Sequence, residues 1–210
     1  MNEKKVPEVV IKRLPRYYRY LDELYKEGKT RISSTALSKK MGVTASQIRQ
    51  DFNYFGGFGQ QGYGYNVQYL LEELKKLLGI ANGYKTIIVG AGNLGSAIAN
   101  YAGLKKRGFK LLGIFDNDEK KIGKTVGELK ISDISDVGRF VRENKIDIAI
   151  LTLPKAATEK IADMLADSGI KGFWNFSYTE LKNRNSVFVE NVHLTDSLMT
   201  LSFKINQNEE

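Results

Sequence analysis

Gly90-Ala91-Gly92-Asn93-Leu94-Gly95 is the stretch that most narrows what this chain can fold into. It follows the β-branched run 85–89 and opens a segment predicted to be helical from 92 to 106. A Gly-x-Gly-x-x-Gly at a strand-to-helix junction has a mechanical meaning. The first glycine permits the tight turn, the second removes a side chain that would block a pyrophosphate, and the third lets helix and strand pack closely. The helix N-terminus offers free amides and a partial positive charge to phosphate, so Ala91, Asn93 and Leu94 belong to the expected phosphate loop with the three glycines. The run 110–115 predicts a second strand ending at Asp116, about 20 residues past the loop, where a carboxylate accepts hydrogen bonds from ribose hydroxyls. Its charge repels a 2′-phosphate. The pattern points to NAD(H) rather than NADP(H).

Strands and helices continue to alternate, with helices expected at 133–144 and 155–167 and strands at 146–153 and 171–176. Such alternation predicts an α/β domain, a doubly wound parallel half-sheet covered on both faces, over 84–192. Leu153-Pro154 and Asn175-Phe176-Ser177 close the last two of these strands, at the carboxyl edge where the nicotinamide end of a dinucleotide would lie. These residues are mostly apolar and favour neutral NADH over NAD⁺, whose cationic ring is costly to desolvate. Two Tyr-x-x-x-Lys pairs, Tyr101 with Lys105 and Tyr178 with Lys182, have the spacing of a dehydrogenase proton-transfer pair. Both read better as aromatic packing beside a solvated lysine, because Tyr101 sits behind the phosphate loop and Tyr178 follows the last strand of a small sheet. No catalytic residue is assigned. Residues 194–205 form a last helix whose Leu194, Leu198, Met199, Leu201, Phe203 and Ile205 lie almost all round it, which predicts burial and sets off 193–210 as a separate terminal segment.

The chain of 210 residues has a net charge of +8, and its first 80 residues hold 14 basic and 8 acidic side chains. That excess invites a polyanion. Apolar residues spaced 3, 4 and 7 apart from Leu14 to Tyr25 predict a helix over 15–27 that Gly28 stops. Ser33 or Ser34 caps a short second helix that Gly42 ends, and Thr44 with Gln47 makes a capping box for a third. This is the spacing of a helix-turn-helix. Glycines alternate with aromatic residues over 55–65, predicting a hairpin wing with its tip at 59–62, and Asn66 caps a leucine-rich helix before a short linker at 79–83. Residues 1–80 therefore read as a winged-helix DNA-binding domain. Ala45, Ser46, Gln47, Arg49, Gln50 and Asn53 on the third helix have the chemistry to read base edges, with Arg31, Lys39 and Lys40 placed for phosphates. Arg13, Arg16, Gln60, Gln61 and Tyr63 complete the expected DNA surface.

The chain has no cysteine and a single histidine, His193, which excludes disulfides, thiolate catalysis and the usual zinc sites. The N-terminus has no signal-peptide core and no stretch approaches the ~18 apolar residues of a membrane span. A cytoplasmic protein is expected.

Taken together, Lys12-Arg13-Leu14-Pro15-Arg16-Tyr17-Tyr18-Arg19, Ile48-Arg49-Gln50-Asp51-Phe52-Asn53-Tyr54-Phe55-Gly56, Gly62-Tyr63-Gly64-Tyr65-Asn66-Val67 and the glycine loop resemble the Rex family of bacterial redox-sensing repressors. The resemblance spans nearly the whole chain. It implies a homodimer that binds palindromic operator DNA when NADH is scarce and leaves it when NADH binds, responding to the balance of NADH and NAD⁺, with the last helix swapped between subunits. It also implies that Tyr101 and His193 lie near the nicotinamide and that Arg13 stands at a domain junction. This chain departs from the family's pattern with His193 in place of an aspartate, glutamines at 50, 60 and 61 where basic residues are common, and Tyr178 in place of a proline. An NAD-dependent oxidoreductase with an accessory basic domain is the alternative.

Overall fold

The computed structural model describes residues 6–56, 58–60, 63–183 and 186–207. The chain divides into two compact units, one ending at Asn82 and the other beginning at Gly83. The expected linker contains a 3₁₀ turn, Ile80–Asn82, that groups with the first unit.

The first unit begins with α1 (Glu8–Ile11) and α2 (Leu14–Lys26), which has Pro15 in its first turn, where the missing amide proton costs nothing. Its buried Leu14, Tyr17, Leu21 and Leu24 share one face. After β1 (Arg31–Ile32), α3 (Ser34–Met41) is capped by Ser33, and Gly42, left-handed at φ +65°, turns the chain into α4 (Ala45–Asn53). The wing strands β2 (Gly59–Gln60) and β3 (Gly64–Asn66) pair antiparallel, and β1 joins the other edge of β3. Strand therefore already occupies 59–60, where the sequence predicted the hairpin tip. Gly64 has φ +70°, and a Cβ there would lie 2.7 Å from the Ile32 carbonyl oxygen, so β1 can approach β3 only across a glycine. The Asn66 side chain caps α5 (Val67–Leu77). Phe52 centres the core, its ring 4.8 Å from Tyr17 and 5.1 Å from Tyr65.

Beneath that core lies a charge. Asp51 is 0% exposed, yet its carboxylate accepts from Arg13 Nε (2.7 Å) and Nη2 (2.8 Å), the Tyr17 hydroxyl (2.7 Å) and Gln47 Nε2 (2.9 Å). Burial alone would raise its pKa, but these bonds outweigh it and hold the carboxyl below the usual carboxylate range. The capping box is therefore half made. Thr44 Oγ1 accepts from the Gln47 amide, while the Gln47 side chain donates through Nε2 to the buried carboxylate, a charge-assisted bond.

The second unit is a seven-stranded sheet of order β10-β9-β8-β4-β5-β7-β6. Its strands are β4 (Tyr84–Val89), β5 (Phe109–Asp116), β6 (Thr125–Val126), β7 (Leu129–Asp133), β8 (Ile148–Leu151), β9 (Gly172–Asn175) and β10 (Phe188–Asn191). Six are parallel and β6 is an antiparallel edge. Counting only the parallel strands, the order is 3-2-1-4-5-6, the full doubly wound arrangement rather than the half expected. Among the parallel strands the sequence pattern misses β7, whose apolar and polar side chains alternate, and β10, which carries only the three-residue apolar run 187–189. Asp133 ends β7 and caps a 3₁₀ turn, Ile134–Asp136, so α8 (Val137–Asn144) starts later than the helix expected from 133. α9 (Lys155–Asp167) has the expected bounds.

The helix after the glycine loop is broken in two. α6 (Asn93–Ala99) ends where the Asn100 side chain donates to the Ser96 carbonyl, competing with the helical backbone, and α7 (Gly103–Lys106) starts afresh. The last helix, α10 (Leu194–Asn206), contains no buried residue, contrary to expectation. Its own chain supplies no walls for the apolar surface.

The pH dependence of the first unit follows from Asp51. A carboxyl whose folded pKa is depressed contributes stability that is present above its unfolded pKa, near 4, and is lost as pH falls through the folded value. Asp51→Asn should cost about 3 kcal/mol at neutral pH and flatten the acid side of the stability profile. Hydrogen–deuterium exchange should show faster exchange in α2 and α4 with little change in the second unit.

Candidate functional site

In the second unit the strand order reverses between β4 and β8, and a cleft of about 400 Å³ opens at their carboxyl ends. The close approach of α6 to β4 shapes it. Gly90, at φ +104°, turns the chain out of β4, where a Cβ would stand 2.5 Å from the Thr152 carbonyl oxygen. Thr152 Oγ1 donates to the Gly90 carbonyl at 2.7 Å. At Gly95 a Cβ would lie 2.0 Å from the Gly90 carbonyl oxygen and 2.7 Å from Thr152 Oγ1. Gly92, by contrast, has nothing within 4 Å of a Cβ position and lines the cleft. No side chain caps α6. The loop thus combines packing glycines with one glycine that leaves open space, which suits a pyrophosphate.

Asp116, at the end of β5, lines the same cleft while nearly buried. Its carboxylate accepts from the Ala91 amide (2.7 Å), the Asp118 amide (2.9 Å) and Lys121 Nζ (3.1 Å). Burial pushes its pKa up, but the Asp118, Lys121 and Ala91 bonds prevail and hold it below the usual carboxylate range. It remains a charged acceptor at the cleft wall and ties the phosphate loop to the neighbouring strand.

Of the residues singled out from sequence, Gly90, Gly92, Leu94, Asp116, Leu153, Pro154, Phe176 and Ser177 line the cleft. Ala91 and Gly95 are buried behind it and Asn93 opens α6. Three others are placed differently. Asn175 is fully buried, its amide bonded to Thr179, Asn191 and Ser177, so it supports the wall rather than facing the cleft. Tyr101 is 62% exposed and folds against Gly103, outside the cleft lining. His193 occupies the N-cap position of α10, also outside that lining. The lining also holds Asn117, Lys121, Thr152 and Lys155, which the sequence reading missed, and Tyr178, which it read as a packing contact but which is 79% exposed. Asn117, Thr152 and Lys155 adjoin recognised residues, and Lys121 lies five past Asp116. Behind the wall, the Trp174 ring meets Phe176 edge-on at 4.6 Å.

In the first unit, Ser46, Arg49, Gln50 and Asn53 are exposed on α4, and Ala45 is half-buried. Arg49 donates to Ser34 Oγ at 3.0 Å, which leans it toward α3. Arg31 donates to the Tyr63 carbonyl and lies over the Tyr63 ring, an exposed pair beside the wing. Arg16 is exposed and donates to the Met41 carbonyl. Arg13 and Gln47, expected on the DNA surface, are half-buried, and each donates to the Asp51 carboxylate. In that contact Arg13 uses Nε and Nη2. Gln61 and the side chain of Gln60 lie outside the described residues. No group of ligands suited to a metal ion occurs among the described residues, and none of their helices is long and apolar enough to cross a membrane.

A helix-turn-helix with a wing, joined in one chain to a dinucleotide-type cleft, defines a ligand-responsive transcription regulator. Relatives make the class specific. One family model, described as a putative DNA-binding protein N-terminus, matches residues 5–53, and another, described as a CoA binding domain, matches 81–179. The redox-sensing transcriptional repressor Rex of Thermoanaerobacter pseudethanolicus is 56% identical over 98% of this chain and 92% of its own length. The structure of RSP in complex with β-NAD⁺ and operator DNA is 54% identical, with a TM-score of 0.91 over 97% of this chain and 94% of that one. RSP in complex with β-NADH is 51% identical, with a TM-score of 0.90 over 98% and 97%. The chain belongs to the Rex family of redox-sensing transcriptional repressors. It is a regulator and not an enzyme, which sets aside the oxidoreductase alternative.

The glycines separate packing from ligand space. Gly95→Ala forces atoms into the Gly90 backbone and should lower the stability of the second unit by about 1–3 kcal/mol. Gly92→Ala meets nothing and should leave the melting temperature unchanged while narrowing the cleft. Calorimetric melting of both variants checks the contrast.

Proposed function

We propose that this chain works as a homodimer that holds a palindromic operator through its two α4 helices and lets go when NADH enters the cleft. Gly92 and the uncapped N-terminus of α6 would receive the pyrophosphate, and the Asp116 carboxylate the adenosine ribose hydroxyls. Leu153, Pro154 and Phe176 form an apolar wall that suits a neutral reduced nicotinamide better than the cationic oxidised ring. Arg49, Gln50 and Asn53 keep exposed side chains on α4, with Ser46 beside them, and Arg31 and Tyr63 flank them at the wing. The site of action is the cytoplasm, where genome and NADH pool meet.

The observation that carries the reading is α10. Leu194, Leu198, Met199, Leu201, Phe203 and Ile205 are each at least half exposed on a single chain. A contiguous apolar surface of that kind marks an interface, and a second copy of this chain supplies the matching face by two-fold symmetry. RSP, so similar over its whole length, is known with operator DNA and NAD⁺ together and separately with NADH. NADH shifts the equilibrium only if it binds the DNA-free form more tightly than the DNA-bound form.

Fluorescence anisotropy of a labelled palindromic operator tests this. NADH should release the DNA at concentrations where NAD⁺ does not, and removing residues 194–210 should yield a monomer without tight operator binding. A truncated chain that stays dimeric and still responds to NADH would overturn the reading. Asp116→Ala should weaken NADH about tenfold or more through loss of a charged acceptor. NADPH binding should fall less, since only the shared tie to Ala91 is lost there.

A further inference from the structure

Between the cleft wall and the root of α10 runs a buried network of side-chain amides. Asn175 ends β9 and is 0% exposed. Its Oδ1 accepts from the Ser177 amide (3.1 Å) and hydroxyl (2.8 Å), and Ser177 lines the cleft. Its Nδ2 donates to the Thr179 carbonyl (2.7 Å) and to Asn191 Oδ1 (2.8 Å). Every donor and acceptor of the amide is engaged, in three bonds to the 177–179 wall on one side and one across to β10 on the other.

Asn191 closes the network. It ends β10, and its amide takes both backbone groups of Leu181, accepting from the amide at 3.2 Å and donating to the carbonyl at 2.8 Å. The Val192 amide then donates to the Asn175 carbonyl at 2.8 Å. His193 follows, and α10 begins at Leu194. The wall is also pinned at its far side, where Thr179 Oγ1 donates to the Lys155 carbonyl at the first residue of α9. Leu181 itself is buried in the core. The segment 176–181 is therefore held by β8 through the Phe176 amide and the Leu151 carbonyl, by α9, by the core and by Asn191, whose strand leads into α10.

We infer that Asn175 and Asn191 are positioning residues that couple occupancy of the cleft to the placement of α10. A fully satisfied buried network moves as a unit, because shifting one member leaves another unpaired in a low-dielectric interior. If a nicotinamide displaces Ser177, the Asn175 amide must follow, and Asn191 and the two residues that lead into α10 follow it. The inference rests on the sensing function proposed above.

Asn191→Ala removes the side-chain part of the link, leaving the Val192–Asn175 backbone bond, and does not touch Gly92, Asp116 or α4. NADH affinity by titration calorimetry and operator affinity without NADH should each stay within about threefold of the unsubstituted chain, while the NADH concentration that half-releases the operator should rise about tenfold or more. The quantity that matters is the ratio of release midpoint to NADH dissociation constant, which a merely structural loss would not change. Asn191→Asp keeps both acceptor contacts but sets an oxygen against the Leu181 carbonyl in place of the donor, so it should restore the coupling only in part. If Asn191→Ala does not fold, Asn191→Ser, with one hydroxyl at that place, gives the same comparison. An unchanged ratio in the folded alanine or serine variant overturns this inference alone. Absence of NADH-driven release in the unsubstituted chain overturns the sensing function and the inference with it.

Discussion

The second unit depends on how closely the start of α6 comes to the end of β4. At Gly95 there is no room for a single methyl group between the helix, the Gly90 carbonyl and Thr152. That contact sets the loop's path, and Asp116 secures it from the side by taking the Ala91 amide. The cleft opens because the next glycine in the loop, Gly92, faces nothing. One loop thus packs at one end and leaves space at the other, a distinction that a pattern of glycines does not display.

The two units each bury a carboxylate, and the two carboxylates differ in what they leave available. Asp51 is enclosed by Arg13, Tyr17 and Gln47 and binds α2 to α4. Asp116 has one face on the protein and another on the cleft. Both are held ionised by hydrogen bonds that outweigh burial. A buried charge is costly unless every lone pair is answered, so enclosure makes Asp51 a structural clamp. The open side of Asp116 makes it a binding group.

Much of this was legible in the sequence because its causes are local. Capping by Ser33, Thr44 and Asn66, the bounds of α9 and the glycine loop all follow from neighbours in the chain. What escaped comes from distant partners. Asp51 lies in an amphipathic helix as an ordinary surface acid would, and only the fold brings Arg13, 38 positions away, onto it. That contact gives Arg13 and Gln47 a buried partner that their side-chain types did not suggest. Asn175 is in the right strand for the cleft but faces the other way, toward Asn191. β7 and β10 carry only alternating or three-residue apolar signals, and their strand character shows in their pairing with β5 and β9. The all-round apolar pattern of α10 identified a surface that must be covered, without revealing that its own chain leaves it bare.

The edge-on contact of Trp174 with Phe176 has an optical consequence. This is the chain's only tryptophan, and it stands one ring away from the cleft wall. Indole emits in the band where a reduced nicotinamide absorbs and an oxidised one is transparent. A reduced ring seated against Phe176 would therefore drain the excited state of Trp174, and an oxidised ring in the same place would leave that pathway closed. The protein carries a fluorophore placed to distinguish, without any label, the two redox forms between which a member of this family must choose.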